Sequence, residues 1–350
     1  MQNNTSDFQF GGEKILKTLS WLRGAVVGFG SIGRRHCENL ARLGITELTV
    51  VRRSEQPNPA FQPPTTARIV HSNADAVADG LDFAVICNPT RLHVETAKYY
   101  MEAGVPVLIE KPISDRTDDA RLLADEARRR GAIAGMAYNT RYHPAYAAAR
   151  QAVHDGRIGR VLYAKSWFEN YLPAWHPWED YRLSYAARKD LGGGALRTLD
   201  HEVDFMNWCL GTPDVAIGHS SRSGTLETTA DDNAALLIRY PQGAIVNISL
   251  SLCRKDPSRG FEFVGERGTL AYDWNSLQLR HLSGNGGGES VLLDYRNRDF
   301  AEMYVDMLKD FLNVVAGKAA GNAFAPLDCG LDAIDVCRQA ESRTFPKQLA

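Results

Sequence analysis

Hydrophobic positions in the first part of the chain fall into short runs separated by longer amphipathic stretches. Gly24–Gly28, Glu47–Val51, Phe83–Cys87, Pro106–Ile109 and Ala132–Met136 read as buried strands. Helical periodicity fills the intervals at about 31–43, 92–103 and 116–130. The last of these ends in Arg128, Arg129 and Arg130 before Gly131, where cations meet the carbonyl end of a helix and glycine supplies the cap. Strands alternating with helices predict a parallel sheet covered on both faces. After about residue 144 the period changes. Ala234–Tyr240 and Ala244–Leu250 flank Pro241, Gln242 and Gly243 as a strand, a turn and a strand, and 260–264, 268–272 and 290–293 extend the pattern. Further helices are predicted at 13–22, 299–316 and 329–343. The chain therefore reads as α/β: a doubly wound parallel sheet over 23–143, then an α/β unit with an open, mainly antiparallel sheet over 144–350.

Composition narrows the function without naming it. Lys+Arg is 40 and Asp+Glu 42 in 350 residues, a formal charge of −2, which argues against nucleic acid or anionic membrane as the main partner. No apolar run approaches the roughly 18 residues of a membrane helix. The first 22 residues carry no secretory leader pattern, so a cytoplasmic protein is expected. The six cysteines include no CxxC pair, and the histidines show no ligand spacing, so reduced thiols and no metal site are predicted.

Gly28–Phe29–Gly30–Ser31–Ile32–Gly33 is GxGxxG placed directly after a strand and opening a helix. The glycines permit a tight turn and close approach of backbone N–H groups to a pyrophosphate at a helix N-terminus. This context predicts a Rossmann dinucleotide site. NAD sites commonly end the second strand in Asp or Glu, but here that position holds Arg52 and Arg53. A guanidinium pair suits a ribose 2′-phosphate, so NADP(H) is favoured over NAD(H).

Later segments go beyond a generic dinucleotide fold. They are Asn88–Pro89–Thr90 with His93, Glu110–Lys111–Pro112, Asn139 with Arg141, and Gly192–Gly193–Gly194 leading to His201 and Asp204. In this order they resemble the Gfo/Idh/MocA oxidoreductases, the glucose–fructose oxidoreductase and inositol dehydrogenase superfamily, over about 24–345. The resemblance implies nicotinamide-dependent hydride transfer at a carbinol of a sugar, polyol or nucleotide-sugar. Lys111 is implied as the catalytic lysine, with a pKa lowered by partial desolvation, and His201 as its partner at the substrate hydroxyl, oriented by Asp204. Asn88, Pro89, Thr90, His93, Glu110, Lys111 and Asn139 are implied to line the dinucleotide.

Many family members carry Asp one helical turn before the histidine, a position held here by Arg197. On a continuous helix Asp200 would point about 100° away from His201 and could not substitute. Arg197 either faces the pocket and binds an anionic substrate group or pairs internally with Asp204 or Asp200. Trp175, His176 and Tyr181, with Arg182, Arg188 and Lys189, suit a sugar ring bearing an anion, and Arg141 and His143 are further substrate contacts. An acidic or nucleotide-linked sugar is the expected substrate class, and a homodimer or homotetramer the expected assembly. Two other readings stay open on this fold. One is a redox-assisted lyase, hydrolase or epimerase that recycles a bound cofactor; the other is a non-catalytic dinucleotide- or sugar-binding regulator.

Overall fold

The structure, a computed structural model, describes residues 19–52, 66–78, 80–284, 286–296 and 301–342. Arg53 and most of the helix expected over 13–22 lie outside the described residues. Two sheets organise the chain. The first is parallel and contains β1 (Arg23–Val27), β2 (Glu47–Val51), β3 (Arg68–Val70), β4 (Phe83–Ile86), β5 (Val107–Ile109) and β6 (Ala134–Met136) in the order β3-β2-β1-β4-β5-β6. That is the Rossmann order, with its switch point between β1 and β4. Strands β4 and β5 are buried along their whole length, as a sheet covered on both faces requires.

Helices α1 (Ser31–Arg42), α2 (Asn73–Ala78), α3 (His93–Glu102), α4 (Thr117–Arg130) and α5 (Pro144–His154) accompany this sheet. Helix α4 ends as its sequence predicts, on Gly131 at φ +60°. Its three terminal arginines are exposed and pair with Asp125, Glu126 and Asp328, a solvated helix end.

The second sheet begins with β7 (Val161–Tyr171). The short helices α6 (Leu172–Trp175) and α7 (Ala195–Thr198) follow, and then α8 (His201–Leu210). Strands β8 (Val215–Ser221), β9 (Asn233–Arg239), β10 (Ile245–Ser251), β11 (Cys253–Gly265), β12 (Gly268–Asp273), β13 (Gln278–Ser283) and β14 (Glu289–Asp294) complete the order β14-β13-β12-β11-β7-β10-β9-β8. The predicted hairpin is β9–β10, with Ile238 opposite Val246 and apolar residues alternating inward. Every pairing is antiparallel except β7 with β10. The long central strand β7 has no clean alternation: small Ala164 and Ser166 face the core beneath α8, and its last residues are all half-buried.

Helices α9 (Glu302–Val315) and α10 (Leu327–Ser342) end the described chain. Helix α9 returns to the first sheet, where Met307, Leu308, Phe311 and Leu312 share a core with Val26, Cys37, Leu40, Val50 and Phe83. The opposite face of that sheet (Ala25, Val27, Ala84, Ile86, Ile109) belongs to a core continuous with α8, α10 and the second sheet. The interior is therefore continuous across the space between the C-terminal ends of β1, β4 and β5 and the inner face of the second sheet, where the candidate site lies.

Candidate active site

The turn after β1 is built for close approach. Gly28 has φ +96°, and a Cβ there would lie 2.6 Å from the Asn88 amide nitrogen. A Cβ on Gly33 would lie 2.1 Å from the Gly28 carbonyl oxygen, whereas one on Gly30 would meet open space. Helix α1 starts at Ser31 with no side-chain cap and no acidic residue in its first turn, so its leading N–H groups keep their donor capacity and positive potential. An open cradle at Gly30 in front of an uncapped twelve-residue helix fits a pyrophosphate.

Beyond the turn, several predicted cofactor residues hold the loops themselves. Asn88 donates to Thr96 Oγ1 at 2.8 Å, while its Oδ1 is buried with no partner among the described residues. His93 is buried, with Nε2 2.7 Å from the Asn88 carbonyl and Nδ1 2.8 Å from the Pro112 carbonyl, so it ties the loop after β4 to the loop after β5. Glu110 lies 2.7 Å from His36 Nε2 on α1 and accepts from the Lys111 amide at 3.2 Å. Thr90 and Asn139 are buried in the 3-10 turns Thr90–Leu92 and Asn139–Tyr142, and Pro89 precedes the first. Arg52 has its backbone fixed on both sides, N–H to the Val70 carbonyl at 2.9 Å and carbonyl to His71 at 2.7 Å. Its Nε has no partner among the described residues.

Lys111 sits at the centre, before the cis peptide bond to Pro112. Its Nζ donates to the Thr198 carbonyl at 2.6 Å. The lowered pKa expected of this lysine is not what its surroundings produce. Burial pulls the value down, but the field of Tyr185, Asp200, Glu110 and Tyr304 outweighs it and holds the ammonium above the ordinary lysine value. His201 is the first residue of α8, 8% exposed, with its ring edge-on to Tyr138 at 5.9 Å and Nδ1 without a partner among the described residues. Burial, with Lys111 and Arg259 nearby, pushes it well below 6.5, so it is neutral.

The expected role of Asp204 beside His201 gives way to another. Asp204 receives a two-pronged bond from Arg141, Nε to Oδ2 at 2.8 Å and Nη2 to Oδ1 at 2.6 Å, with both side chains buried. Arg141 is thereby an internal tie between the 139–142 turn and α8, not an open substrate contact. Arg197 likewise turns away: it pairs at 3.0 Å with Glu341 on α10 rather than with Asp200 or Asp204. His143 caps α5 by accepting from the Ala145 amide at 3.2 Å, inside a cage of Tyr146, Tyr272, Trp274 and Tyr295. Burial, with Arg259 nearby, lowers it to about 3. Trp175 stacks on Phe168 at 6.4 Å, and neither its Nε1 nor His176 Nδ1 has a partner among the described residues. The Tyr181 hydroxyl accepts from the Glu227 amide, while Arg182 is held by Asp180 and Arg188 by Asp190.

Two features escaped the sequence reading. Arg259 on β11 pairs with Glu202 at 2.6 Å beneath the site, packs over Phe168 at 4.3 Å and donates to Thr140 Oγ1 at 3.1 Å. Its separation of 57 residues from Glu202 leaves no local signal. Asp200 does not lie on a continuous helix: α7 stops at Thr198 and α8 starts at His201, so the 100° argument fails. Asp200 is instead buried, and its Oδ2 accepts from the Tyr138 hydroxyl at 3.2 Å. Among the described residues no group of three or more His, Cys, Asp or Glu could hold a metal ion, and no helix is long and apolar enough to cross a membrane.

Two family models cover most of this arrangement. Residues 22–138 match the oxidoreductase family with an NAD-binding Rossmann fold, and 146–271 match the GFO/IDH/MocA C-terminal domain. The chain belongs to the Gfo/Idh/MocA oxidoreductase family. Among Gfo/Idh/MocA relatives, myo-inositol dehydrogenase Hyg17 of Streptomyces leeuwenhoekii is 27% identical over 91% of this chain and 95% of its own. An inositol 2-dehydrogenase of Cereibacter sphaeroides is also 27% identical, over 92% and 94%. The fold is shared with levoglucosan dehydrogenase in complex with NADH and levoglucosan (TM-score 0.79, 17% identity, 92% and 96% covered). It is shared also with GenD2 from gentamicin A biosynthesis in complex with NAD (TM-score 0.75, 24% identity, 92% and 93% covered). The protein is accordingly an NAD-binding oxidoreductase of the sugar and polyol dehydrogenase family, acting on CH–OH groups.

Proposed function

We propose that this enzyme oxidises a carbinol of an uncharged sugar or cyclic polyol, or reduces the corresponding carbonyl. The observation that carries the reading is the part-buried ammonium of Lys111, held on the Thr198 carbonyl with the neutral His201 nearby, together with the open phosphate cradle after β1. When bound, the dinucleotide supplies the hydride acceptor or donor. Lys111 orients the carbinol oxygen by donating to it, and in the reductive direction it gives the forming alkoxide its proton. His201, uncharged, accepts or donates a hydrogen bond at the same oxygen. Trp175 and Phe168 offer aromatic faces to the C–H side of a ring.

The expected acidic or nucleotide-linked sugar needs cations to spare, yet of those offered for it Arg141, Arg182, Arg188 and Arg197 are each engaged by a carboxylate, which leaves Lys189 without one among the described residues. An uncharged ring, such as the inositol named for the relatives above, makes no such demand. Arg52, directly after β2 and with no partner for its Nε among the described residues, supports NADP(H) over NAD(H). Tyr163, Leu237 and Ile245, at least 36% exposed on the outer face of the second sheet, support a homodimer or homotetramer. Six unbonded thiols support a reducing, cytoplasmic setting.

The test is reduction of NAD(P)+ at 340 nm with a panel of inositols, anhydrosugars and hexoses set against hexuronic acids and nucleotide-sugars. Turnover on an uncharged ring is expected, falling at least about a hundredfold in Lys111→Ala. Near-normal turnover in that variant would remove Lys111 from the mechanism, and product formed without net cofactor reduction would overturn the reading in favour of a recycling enzyme.

A further inference from the structure

Helix α8 carries two buried carboxylates in its first turn, Glu202 and Asp204, and each is met by an arginine from a different part of the fold. Asp204 is held by Arg141 of the 139–142 turn. Glu202 takes Nε and Nη2 of Arg259 on β11 through its Oε1, at 2.8 and 2.6 Å, and its Oε2 accepts from the Ser166 hydroxyl on β7. Arg259 Nη2 also donates to the Thr140 hydroxyl at 3.1 Å, next in the chain to Arg141. The guanidinium lies 4.3 Å from the centre of the Phe168 ring, on which Trp175 stacks. One planar group therefore bonds α8, bonds the 139–142 turn and packs on the Phe168–Trp175 pair.

A buried ion pair of this kind is not required for stability, because apolar side chains of similar size in its place commonly leave a protein as stable or more so. Helix geometry shows what the pair does instead. His201, Glu202 and Asp204 all belong to the first turn of α8. At about 100° per residue, Glu202 points roughly 100° to one side of His201 and Asp204 roughly 60° to the other. The two arginine ties thus flank the direction of His201 and stop the helix from rolling either way. Without Arg259, α8 keeps a single pivot at Asp204, and the Phe168–Trp175 pair loses its link to the helix.

We infer that Arg259 is a positioning residue for His201: through Glu202 it fixes the roll of α8, and through Phe168 it sets the aromatic pair in place against that helix. This rests on the dehydrogenase reading above, in which His201 meets the carbinol oxygen while Trp175 and Phe168 meet the ring. In this role the Arg259–Glu202 pair binds no substrate and moves no proton. A misplacement of about 1 Å at the reacting atoms can cost a hundredfold in rate, so the effect belongs in turnover rather than in folding.

Two variants of the full chain separate positioning from stability. Arg259→Met combined with Glu202→Leu removes both charges and is expected to melt within about 3 °C of the native protein. Arg259→Lys keeps the charge but has no planar fork to bond Glu202 and Thr140 together. In both, kcat for a ring alcohol is expected to fall at least about tenfold, with the dinucleotide Kd within about twofold of native. A double variant with native melting temperature and kcat within about twofold of native overturns the inference; should that variant unfold, Arg259→Lys decides by the same kcat criterion. NMR of protein labelled with 15N-histidine reads His201 without substrate, its ring signal identified by its loss in His201→Asn. One sharp signal in the native protein is expected to broaden or split in the variants, and a single signal of native width in a folded variant also overturns the inference. Should the native enzyme oxidise no ring alcohol, the dehydrogenase reading fails by itself, and the histidine spectrum still decides whether Arg259 fixes His201.

Discussion

The Arg141–Asp204 pair gives the sharpest separation between a substrate contact and an internal tie. Both groups are buried, joined by two short bonds, and Arg141 also packs on Trp208 at 5.2 Å and Tyr138 at 5.8 Å. Breaking such a pair leaves an uncompensated charge and costs about 3–5 kcal/mol, a large share of the roughly 5–15 kcal/mol that a folded protein has. The two single variants are not equivalent. In Asp204→Asn the guanidinium has no neutral form to adopt, so the full cost appears at every pH. In Arg141→Met the abandoned carboxyl can take up a proton. Its folded-state pKa then lies above the unfolded value of about 3.9, so the folded state binds more protons and stability falls as pH rises, by up to about 1.4 kcal/mol per unit. Arg141→Met is thus milder at pH 5 than at pH 8. Combining it with Asp204→Leu removes both charges and returns stability to within about 1 kcal/mol of the native protein or above it. Urea unfolding followed by tryptophan fluorescence at several pH values gives the cycle. If Asp204→Asn loses less than about 1 kcal/mol while KM rises tenfold, the internal-tie account is wrong and Arg141 belongs to the substrate.

Other consequences are as direct. Gly33→Ala sets a methyl 2.1 Å from the Gly28 carbonyl oxygen, so the phosphate turn must shift. Dinucleotide affinity measured by calorimetry is expected to fall at least about tenfold, close to 1.4 kcal/mol, and an unchanged Kd would remove the close-packing argument. Replacing Arg52 and Arg53 by Ala is expected to weaken NADPH at least about tenfold and NADH far less; equal losses would end the 2′-phosphate assignment.

Local pattern carried much of the fold. Short wholly apolar runs such as Phe83–Ile86, spaced by helical stretches, suit strands of a two-sided sheet, and the alternation of Ala234–Tyr240 and Ala244–Leu250 fixes which face of the hairpin is inward. The phosphate turn was legible because its glycines, strand and helix are neighbours in sequence. Strand β7 was not, because its inward positions hold Ala164 and Ser166, small enough to lie under α8, where the apolar signal is weak. The roles of the charged residues escaped for a different reason. Arg141, Arg197 and Arg259 are separated from Asp204, Glu341 and Glu202 by 63, 144 and 57 residues, and a guanidinium reads the same in sequence whether it awaits a substrate or is already paired.

By itself, then, the sequence determined the layers and the glycine turn after β1, since each follows from residues within one turn or strand of one another; Lys111 and His201 were singled out by the family resemblance. The protonation of Lys111 and the pairing of Asp200 with the Tyr138 hydroxyl were decided by the tertiary structure. A pKa depends on every charge and every ångström of water within reach, and here those charges come from Tyr185, Asp200, Glu110 and Tyr304, which only the folded chain brings together.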